Sequence, residues 1–143
     1  MTVTFCGHAD YSGEKAVREW LATTVDALIT RGAGQFLLGG YGGFDREAAA
    51  VVWEAKERHP HIASTLVLPY LDRTVFACQY DGTTYPPLES VPRRFAISKR
   101  NEWMVQAADI VVAYVLHGWG GAAAMLRCAL RKKKEVIRYV LPR

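Results

Sequence analysis

Residues 37–45 read LLGGYGGFD and residues 115–122 read VLHGWGGA. These two stretches, the first and second glycine clusters, each join a short apolar run typical of a buried strand to a segment with helical periodicity. Glycine lets backbone N–H groups turn toward a bound molecule and lets that molecule approach closely. The N-terminus of the helix that follows such a loop favours an anion. Two such loops in 143 residues therefore predict a pocket for a nucleotide or a sugar phosphate.

Length and composition predict one domain that spans residues 1–143. Half of the residues are hydrophobic and 22% are charged, which suits a globular protein with a real core. The chain has no apolar run of about 18 residues, and its N-terminus lacks the pattern of a signal peptide, so we expect no membrane contact. Its three cysteines form no C-x-x-C pair. This favours a reducing cytoplasm and predicts no metal site.

Strand and helix patterns alternate along the chain. The predicted strands cover residues 2–6, 35–38, 62–68, 109–115 and 135–140, and the predicted helices cover residues 13–30, 44–58, 94–107 and 121–131. Because parallel neighbours need crossover connections, this order predicts an α/β fold, a Rossmann-like three-layer domain of about five mainly parallel strands with helices on both faces. Residues 70–92 are irregular apart from a short helix considered at 71–78, and such a segment is typical of a lid or binding loop.

Three segments follow predicted strands and are expected to meet. They are the two glycine clusters and Gly7–Asp10. The carboxyl ends of parallel strands share one edge of the sheet, where ligands bind at the topological switch. The helix predicted over residues 94–107 begins at this edge and carries Asn101 on its core-facing side. A buried amide needs partners, so Asn101 binds either the ligand or a neighbouring loop.

Two sets of basic residues are candidates for binding phosphate. Arg93, Arg94 and Arg100 fit because guanidinium groups match phosphate oxygens, although each can equally lie on a solvated helix face. Arginines in a first helical turn oppose the helix dipole, which favours a ligand for Arg93 or Arg94. Residues 131–134 read RKKK. They can bind nucleic acid or form the solvated last turn of a helix.

Ionisable side chains near the predicted pocket each have two interpretations. Asp45 is the last residue of the first glycine cluster. There it can cap a helix, accept a hydrogen bond from a ribose hydroxyl or act as an acid–base group. His8 and Asp10 follow the first strand, and His117 opens the second cluster. A histidine at such a position can be a ligand donor or a general acid, or an ordinary surface residue.

Aromatic side chains lie inside both glycine clusters. Tyr41 and Trp119 can stack on a base if they are exposed, or they can hold their loops in place. Neither cluster matches GxxxxGK[ST] or GxGxxG. The sequence therefore indicates neither a Walker-type phosphate loop nor the dinucleotide fingerprint.

Together these motifs resemble the SLOG superfamily. The residues that carry the resemblance are Phe5-Cys6-Gly7-His8, Gly39-Gly40-Tyr41-Gly42-Gly43-Phe44-Asp45, Arg94-Phe95, Arg100-Asn101-Glu102-Trp103-Met104-Val105, Ala108-Asp109 and Gly120-Gly121-Ala122. This Rossmann-like superfamily includes the Smf/DprA proteins and the LOG cytokinin-activating enzymes, and the chain is most similar to its YpsA-like branch. The resemblance runs from about residue 3 to residue 138. It implies a nucleotide or nucleotide-derived ligand at the carboxyl edge and commonly a homodimer or higher homo-oligomer.

The chain departs from the LOG pattern at residues that matter for hydrolysis. LOG enzymes carry Pro-Gly-Gly-x-Gly-Thr-x-x-Glu, whereas here Ala122 replaces the threonine and Met125 replaces the glutamate. Cleavage of an N-glycosidic bond needs a carboxylate, so these departures count against LOG-type hydrolysis. Asp10, Asp45 and Glu102 remain the catalytic candidates. The Gly-His-Arg that is more usual in the YpsA-like branch is also altered, since Ala9 follows His8.

The sequence thus predicts a binding protein that uses no cofactor. Its partner would be a nucleotide-type small molecule, such as an ADP-ribose-like signal, held by a sensor or by a phage-encoded sequestering protein. The alternatives are an N-glycosidic hydrolase or nucleoside deoxyribosyltransferase, and a protein that binds single-stranded nucleic acid. The predicted ligand-binding residues are Gly7, His8, Gly39, Gly40, Tyr41, Gly42, Gly43, Asp45, Arg93, Arg94, Asn101, Gly118, Trp119, Gly120, Gly121 and Ala122.

Overall fold

A computed structural model describes residues 1–71 and 79–141 of the chain. Its elements in chain order are β1 (Thr2–Gly7), α1 (Lys15–Thr30), β2 (Gln35–Leu38), α2 (Gly43–Arg58), β3 (Ala63–Val67), β4 (Gly82–Thr84), α3 (Ala96–Ala107), β5 (Ile110–Tyr114), α4 (Gly121–Arg131) and β6 (Glu135–Arg138). A short 3₁₀ turn, Arg93–Phe95, precedes α3. None of the helices in these two ranges is both long and apolar enough to cross a membrane.

The strands form one sheet in the order β4-β3-β2-β1-β5-β6. Every pairing in it is parallel, so the predicted Rossmann-like α/β fold is confirmed. The prediction of about five strands is one short, because β4 lies inside the segment 70–92, which has no regular pattern in the sequence. Its three residues, Gly-Thr-Thr, are too few to show a period. In the short helix considered at 71–78, residues 72–78 lie outside the described ranges.

Two helical layers cover the sheet. Helices α1 and α2 pack together on one face, and α3 and α4 pack together on the other. Along β5 and the residue that follows it, Ile110, Val112 and Tyr114 belong to the α1/α2 core, whereas Val111, Ala113 and Val115 belong to the α3/α4 core. Successive strand residues point to opposite faces, so a strand covered on both sides reads as one apolar run. This explains the uninterrupted apolar pattern of the predicted fourth strand.

The chain changes direction across the sheet at β1. From there it proceeds through β2, β3 and β4 on one side and then returns to place β5 and β6 on the other. Strand β1 therefore pairs with both β2 and β5, at Thr4↔Leu37 and Thr4↔Val111 for example. A crevice opens beyond the carboxyl ends of the strands at such a switch point.

The first glycine cluster packs tightly against the loop that follows β1. A β-carbon on Gly43 would overlap the carbonyl oxygen of Tyr11, and one on Gly7 would overlap the ring of Phe44. Gly42 has a φ of 94°, a conformation that suits glycine. These glycines are therefore required by the close approach of two protein segments.

We expect Gly43→Ala to destabilise the fold by about 2 kcal/mol or more, because the added methyl group has no space. Gly34→Ala is the matched control, since a β-carbon there meets nothing within 4 Å and Gly34 has no positive φ. Urea denaturation followed by circular dichroism measures both variants. Equal stability of the two variants would contradict the tight packing of the first glycine cluster.

Candidate ligand-binding site at the carboxyl edge

A cavity of about 330 Å³ opens at the switch point. Its walls come from the loop after β1, the start of α2, the buried side of α3 and the second glycine cluster. The predicted binding residues that line it are Gly7, His8, Tyr41, Asp45, Asn101, Trp119, Gly120, Gly121 and Ala122. The catalytic candidate Asp10 lines it too. The volume lies at the lower end of the range of roughly 300–1,000 Å³ that is usual for small-molecule pockets.

The other predicted residues lie outside the lining of this cavity. They are Gly39, Gly40, Gly42, Gly43, Arg93, Arg94, Gly118 and the catalytic candidate Glu102. Glu102 instead pairs with Lys99 at 3.2 Å on the outer side of α3. The N–H groups of Gly43 and Phe44 donate to the carbonyl oxygens of Ala9 (2.8 Å) and His8 (3.4 Å). These N–H groups at the N-terminus of α2 are therefore hydrogen-bonded within the protein. The first glycine cluster contributes Tyr41 and Asp45 to the lining of the cavity.

The two arginines before α3 lie over aromatic rings and do not line the cavity. The Arg93 guanidinium lies over the ring of Tyr70 at 4.2 Å, and that of Arg94 over the ring of Phe95 at 4.7 Å. The arginine that reaches the cavity is Arg100. Arg100 lies four residues from both Ala96 and Met104, which are buried, so it is on the core-facing side of α3. This spacing is the sequence signal that identifies Arg100 as a cavity residue.

Arg100 ties α3 to the ends of two strands. Its side chain is buried, with 1% of the residue exposed. Its Nη1 donates to the carbonyl oxygens of Gly39 at 2.8 Å and Val67 at 2.7 Å, and its Nε donates to Asn101 Oδ1 at 3.0 Å. Burial lowers the pKa of Arg100, and the negative charge of Asp45 opposes that shift.

Asp45 lies beside Arg100 in the first turn of α2. Gly42 is the N-cap, and Asp45 Oδ2 accepts a hydrogen bond from the N–H of Tyr41 at 3.3 Å. A β-carbon on Gly39 would lie 3.0 Å from Asp45 Oδ2 and 3.2 Å from Arg100 Nη2. Burial raises the pKa of Asp45 to about 6, and Arg100 offsets only part of that effect. A carboxyl with such a pKa can take up and release a proton near neutral pH.

Three aromatic rings bridge the loops after β1 and β5. The rings of His8 and His117 stack with centroids 3.9 Å apart, and those of His117 and Trp119 stack at 3.6 Å. His8 Nε2 accepts a hydrogen bond from the N–H of Leu116 at 2.8 Å. Burial lowers the pKa of His8, and the neighbouring His117 lowers it further.

The second glycine cluster differs from the first in what surrounds it. A β-carbon on Gly118, Gly120 or Gly121 would meet nothing within 4 Å. No side chain caps α4, whose N-cap is Gly120 with a φ of 91°. The N-terminus of α4 therefore faces open space beside the cavity, where its N–H groups and dipole favour an anion.

The cavity combines hydrogen-bond donors with aromatic and ionisable groups. Arg100, Asn101 and the first turn of α4 supply donors, and Asp45 supplies an acceptor. Within the described ranges, His, Cys, Asp and Glu side chains form no cluster of three or more that could hold a metal ion. The arrangement suits a small anionic molecule with hydroxyl groups and a planar ring.

Among known proteins, solved structures with low sequence identity share the fold of this chain. No protein-family model matches the chain, and no curated protein matches it. DNA processing protein A from Helicobacter pylori has a TM-score of 0.70 and 15% identity over 99% of this chain and 66% of its own. The same protein from Streptococcus pneumoniae gives a TM-score of 0.70 and 14% identity over 99% and 50%.

A third similar structure is the molybdenum cofactor carrier protein from Chlamydomonas reinhardtii, with a TM-score of 0.64 and 19% identity over 96% of this chain and 75% of that protein. The chain spans about two thirds of the Helicobacter protein and half of the Streptococcus protein. Both of these are DprA proteins, a group inside the superfamily that the sequence resembles. The shared fold is consistent with that resemblance.

Asp45→Asn should change how stability depends on pH. Because the pKa of Asp45 rises from 3.8 to about 6 on folding, the folded protein holds a proton that the unfolded chain releases between these values. The protonated Asp45 carboxyl therefore stabilises the folded state fully below pH 3.8, and this stabilisation is lost as the pH rises through about 6. The variant, which cannot ionise, should gain stability relative to the wild type between about pH 4 and pH 7, by an amount of the order of 2 kcal/mol.

Urea denaturation across this pH range measures the difference in free energy of unfolding between the two proteins. Asp10→Asn, which changes an exposed carboxylate at the same cavity, is the matched control. A difference between Asp45→Asn and wild type that stays constant with pH would contradict the raised pKa.

Proposed function

We propose that the chain binds a nucleotide-type small molecule in the cavity, with a phosphate group at the N-terminus of α4. The observation that carries this proposal is the open space in front of Gly118, Gly120 and Gly121. Protein atoms fill the equivalent space at the first glycine cluster, whereas here nothing in the described chain does. A phosphate can therefore approach the N–H groups of α4 without displacing protein atoms.

The size and polarity of the cavity support a ligand of about one nucleotide. Its volume of about 330 Å³ suits a molecule with one base, one sugar and one phosphate better than a dinucleotide. An ADP-ribose-like molecule would extend beyond it into the open crevice. Asp45 can accept from a ribose hydroxyl, and Asn101, whose Oδ1 is taken by Arg100, offers its amide N–H groups to the ligand.

The finer assignments of family, assembly and biological role are part of the same proposal. We place the chain in the SLOG superfamily, in its YpsA-like branch, and infer a homodimer or higher homo-oligomer in the cytoplasm. The Chlamydomonas protein, by its name, carries a small cofactor, which is in line with a binding role on this fold. That role would be a signal sensor or a phage-encoded sequestering protein, and size-exclusion chromatography with light scattering tests the assembly.

Catalysis at Asp45 is a second candidate function. A carboxyl with a raised pKa inside a ligand cavity can serve as the acid–base group of an N-glycosidic hydrolase or a nucleoside deoxyribosyltransferase. The apolar Ala122 and Met125 stand against LOG-type hydrolysis at the same cavity. For this reason, binding without turnover remains the preferred function.

Binding of single-stranded nucleic acid is less well supported. The Helicobacter structure concerns a single-stranded DNA binding mode of that protein. In this chain the basic residues 131–134 end α4 and lie at the opposite end of the helix from the cavity. Lys134 Nζ also donates to the carbonyl oxygen of Gln106 at 3.2 Å. A mobility shift that weakens steeply with salt would favour this alternative.

Isothermal titration calorimetry with AMP, GMP, CMP, UMP, ADP-ribose and cyclic ADP-ribose isomers tests the proposed function. We expect at least one of these to bind more tightly than about 1 mM. Gly121→Ala should weaken that binding roughly tenfold or more, because its methyl group enters the space left for the phosphate. It should leave the fold intact, since alanine suits a helix better than glycine.

Gly34→Ala, which is remote from the cavity, should bind as the wild type does. Failure of every probe to bind the wild type would contradict the proposed function. Unchanged affinity in Gly121→Ala would contradict the placement of phosphate at α4.

Incubation of the protein with the same nucleotides, followed by chromatography, decides between binding and catalysis. We expect every nucleotide to be recovered intact. Release of a free base by the wild type, lost in Asp45→Asn while binding is kept, would replace the binding function with the enzymatic one.

A further inference from the structure

The ring stack His8–His117–Trp119 runs from a buried end to an exposed end. Its successive interplanar angles are 16° and 15°, so the three rings are nearly parallel. His8 is only 8% exposed, whereas Trp119 is 70% exposed. One face of the indole lies on His117, and the stack ends at the other face.

The buried end of the stack is held firmly. The bond from the Leu116 N–H fixes the ring of His8, and the ring of Tyr114 meets that of His8 edge-on with centroids 5.8 Å apart. His117 Nδ1 is buried and has no hydrogen-bond partner among the residues that the structure describes. The His117 imidazole lies between the rings of His8 and Trp119 and stacks on both.

The backbone around Trp119 leaves the indole accessible. Arg127 Nη1 donates to the carbonyl oxygen of Gly118 at 3.0 Å, which fixes the loop from outside the cavity. Both flanking glycines, Gly118 and Gly120, face open space. A large apolar ring that is held in place with one face open, on the lining of a cavity, is poised for a further planar ring.

We propose that Trp119 is the base-binding residue of the site, and that a nucleobase becomes the fourth ring of the stack. This inference rests on the proposed function and adds the recognition of the base. Trp119 lies two residues before the first residue of α4, so one nucleotide can place its base on the indole and its phosphate on the N–H groups of Gly121 and Ala122. Stacking tolerates any base, so the stack supplies affinity, and Asp45 and Asn101 are left for the sugar.

The occupant is a mononucleotide rather than a strand of nucleic acid, because the cavity is about 330 Å³. Proteins that bind single strands use a basic groove with several successive aromatic residues. Tyr41, the other exposed aromatic residue of the lining, belongs to a different loop. An oligonucleotide of deoxythymidine serves as a probe for this alternative in the test.

Calorimetry on Trp119→Leu and Trp119→Phe tests the assignment. The probes are the tightest of AMP, GMP, CMP and UMP, and ribose 5-phosphate, which carries no base. We expect Trp119→Leu to weaken binding of the nucleotide roughly tenfold or more and to leave ribose 5-phosphate unaffected. Trp119→Phe keeps a ring and should restore most of the nucleotide affinity.

Trp53→Leu is the matched control, because Trp53 is a partly exposed tryptophan on α2 that does not line the cavity. Thermal melts check that each variant folds. If ribose 5-phosphate binds too weakly to measure, the difference in nucleotide affinity between Trp119→Leu and Trp119→Phe decides whether the base stacks on residue 119.

The outcomes separate the two proposals. If nucleotides bind but Trp119→Leu binds them as the wild type does, or weakens both probes equally, the stacking role is overturned and the proposed function stands. If no mononucleotide binds the wild type, the assignment of Trp119 to a mononucleotide base is overturned. The proposed function is overturned as well only if ADP-ribose and the cyclic ADP-ribose isomers also fail to bind. Tighter binding of the oligonucleotide than of any mononucleotide, lost in Trp119→Leu, would overturn the mononucleotide as occupant.

Discussion

The reversal of chain direction at β1 is the constraint on which the site depends. Right-handed crossovers between parallel strands place α1 and α2 on one face of the sheet and α3 and α4 on the other. Because β1 pairs with both β2 and β5, the segments that leave β1 and β5 turn to opposite faces and leave a crevice between them. The stacked rings of His8 and His117 span that crevice. The helix that begins beyond β5 directs its N-terminus into it.

A buried cation fixes the third wall of the cavity. A guanidinium group without water is costly unless its N–H groups are bonded and a negative charge lies near. Arg100 meets these needs through the carbonyl oxygens at the ends of β2 and β3, the amide of Asn101 and the field of Asp45. Burial of Asp45 raises the pKa of its carboxyl to about 6, since the attraction of Arg100 does not fully offset that effect. The structure thus combines a firmly held donor with a carboxyl that titrates near neutral pH.

Sequence reasoning predicted the fold more fully than the site. Alternating periods predicted the parallel sheet and the helices; the helix predicted over residues 13–30, for example, spans Lys15–Thr30 in the structure. The periods missed β4, which is too short to show one. The two glycine clusters looked alike in sequence because glycine serves both ligand approach and close packing. Only the structure reveals that Gly43 faces Tyr11 whereas Gly121 faces open space. Arg100 was named among three phosphate candidates, but the argument from the helix dipole favoured its neighbours. Its buried spacing was the better guide, because a side chain that reaches the strand ends has to lie on the core-facing side of α3.

The most direct test of the account is a crystal structure of the protein with the nucleoside monophosphate that binds most tightly in solution. We expect phosphate density within hydrogen-bond distance of the N–H groups of Gly121 and Ala122, and a base parallel to the indole of Trp119. Density for the nucleotide outside the cavity, or a phosphate held by Arg93 or Arg94 instead of α4, would contradict it.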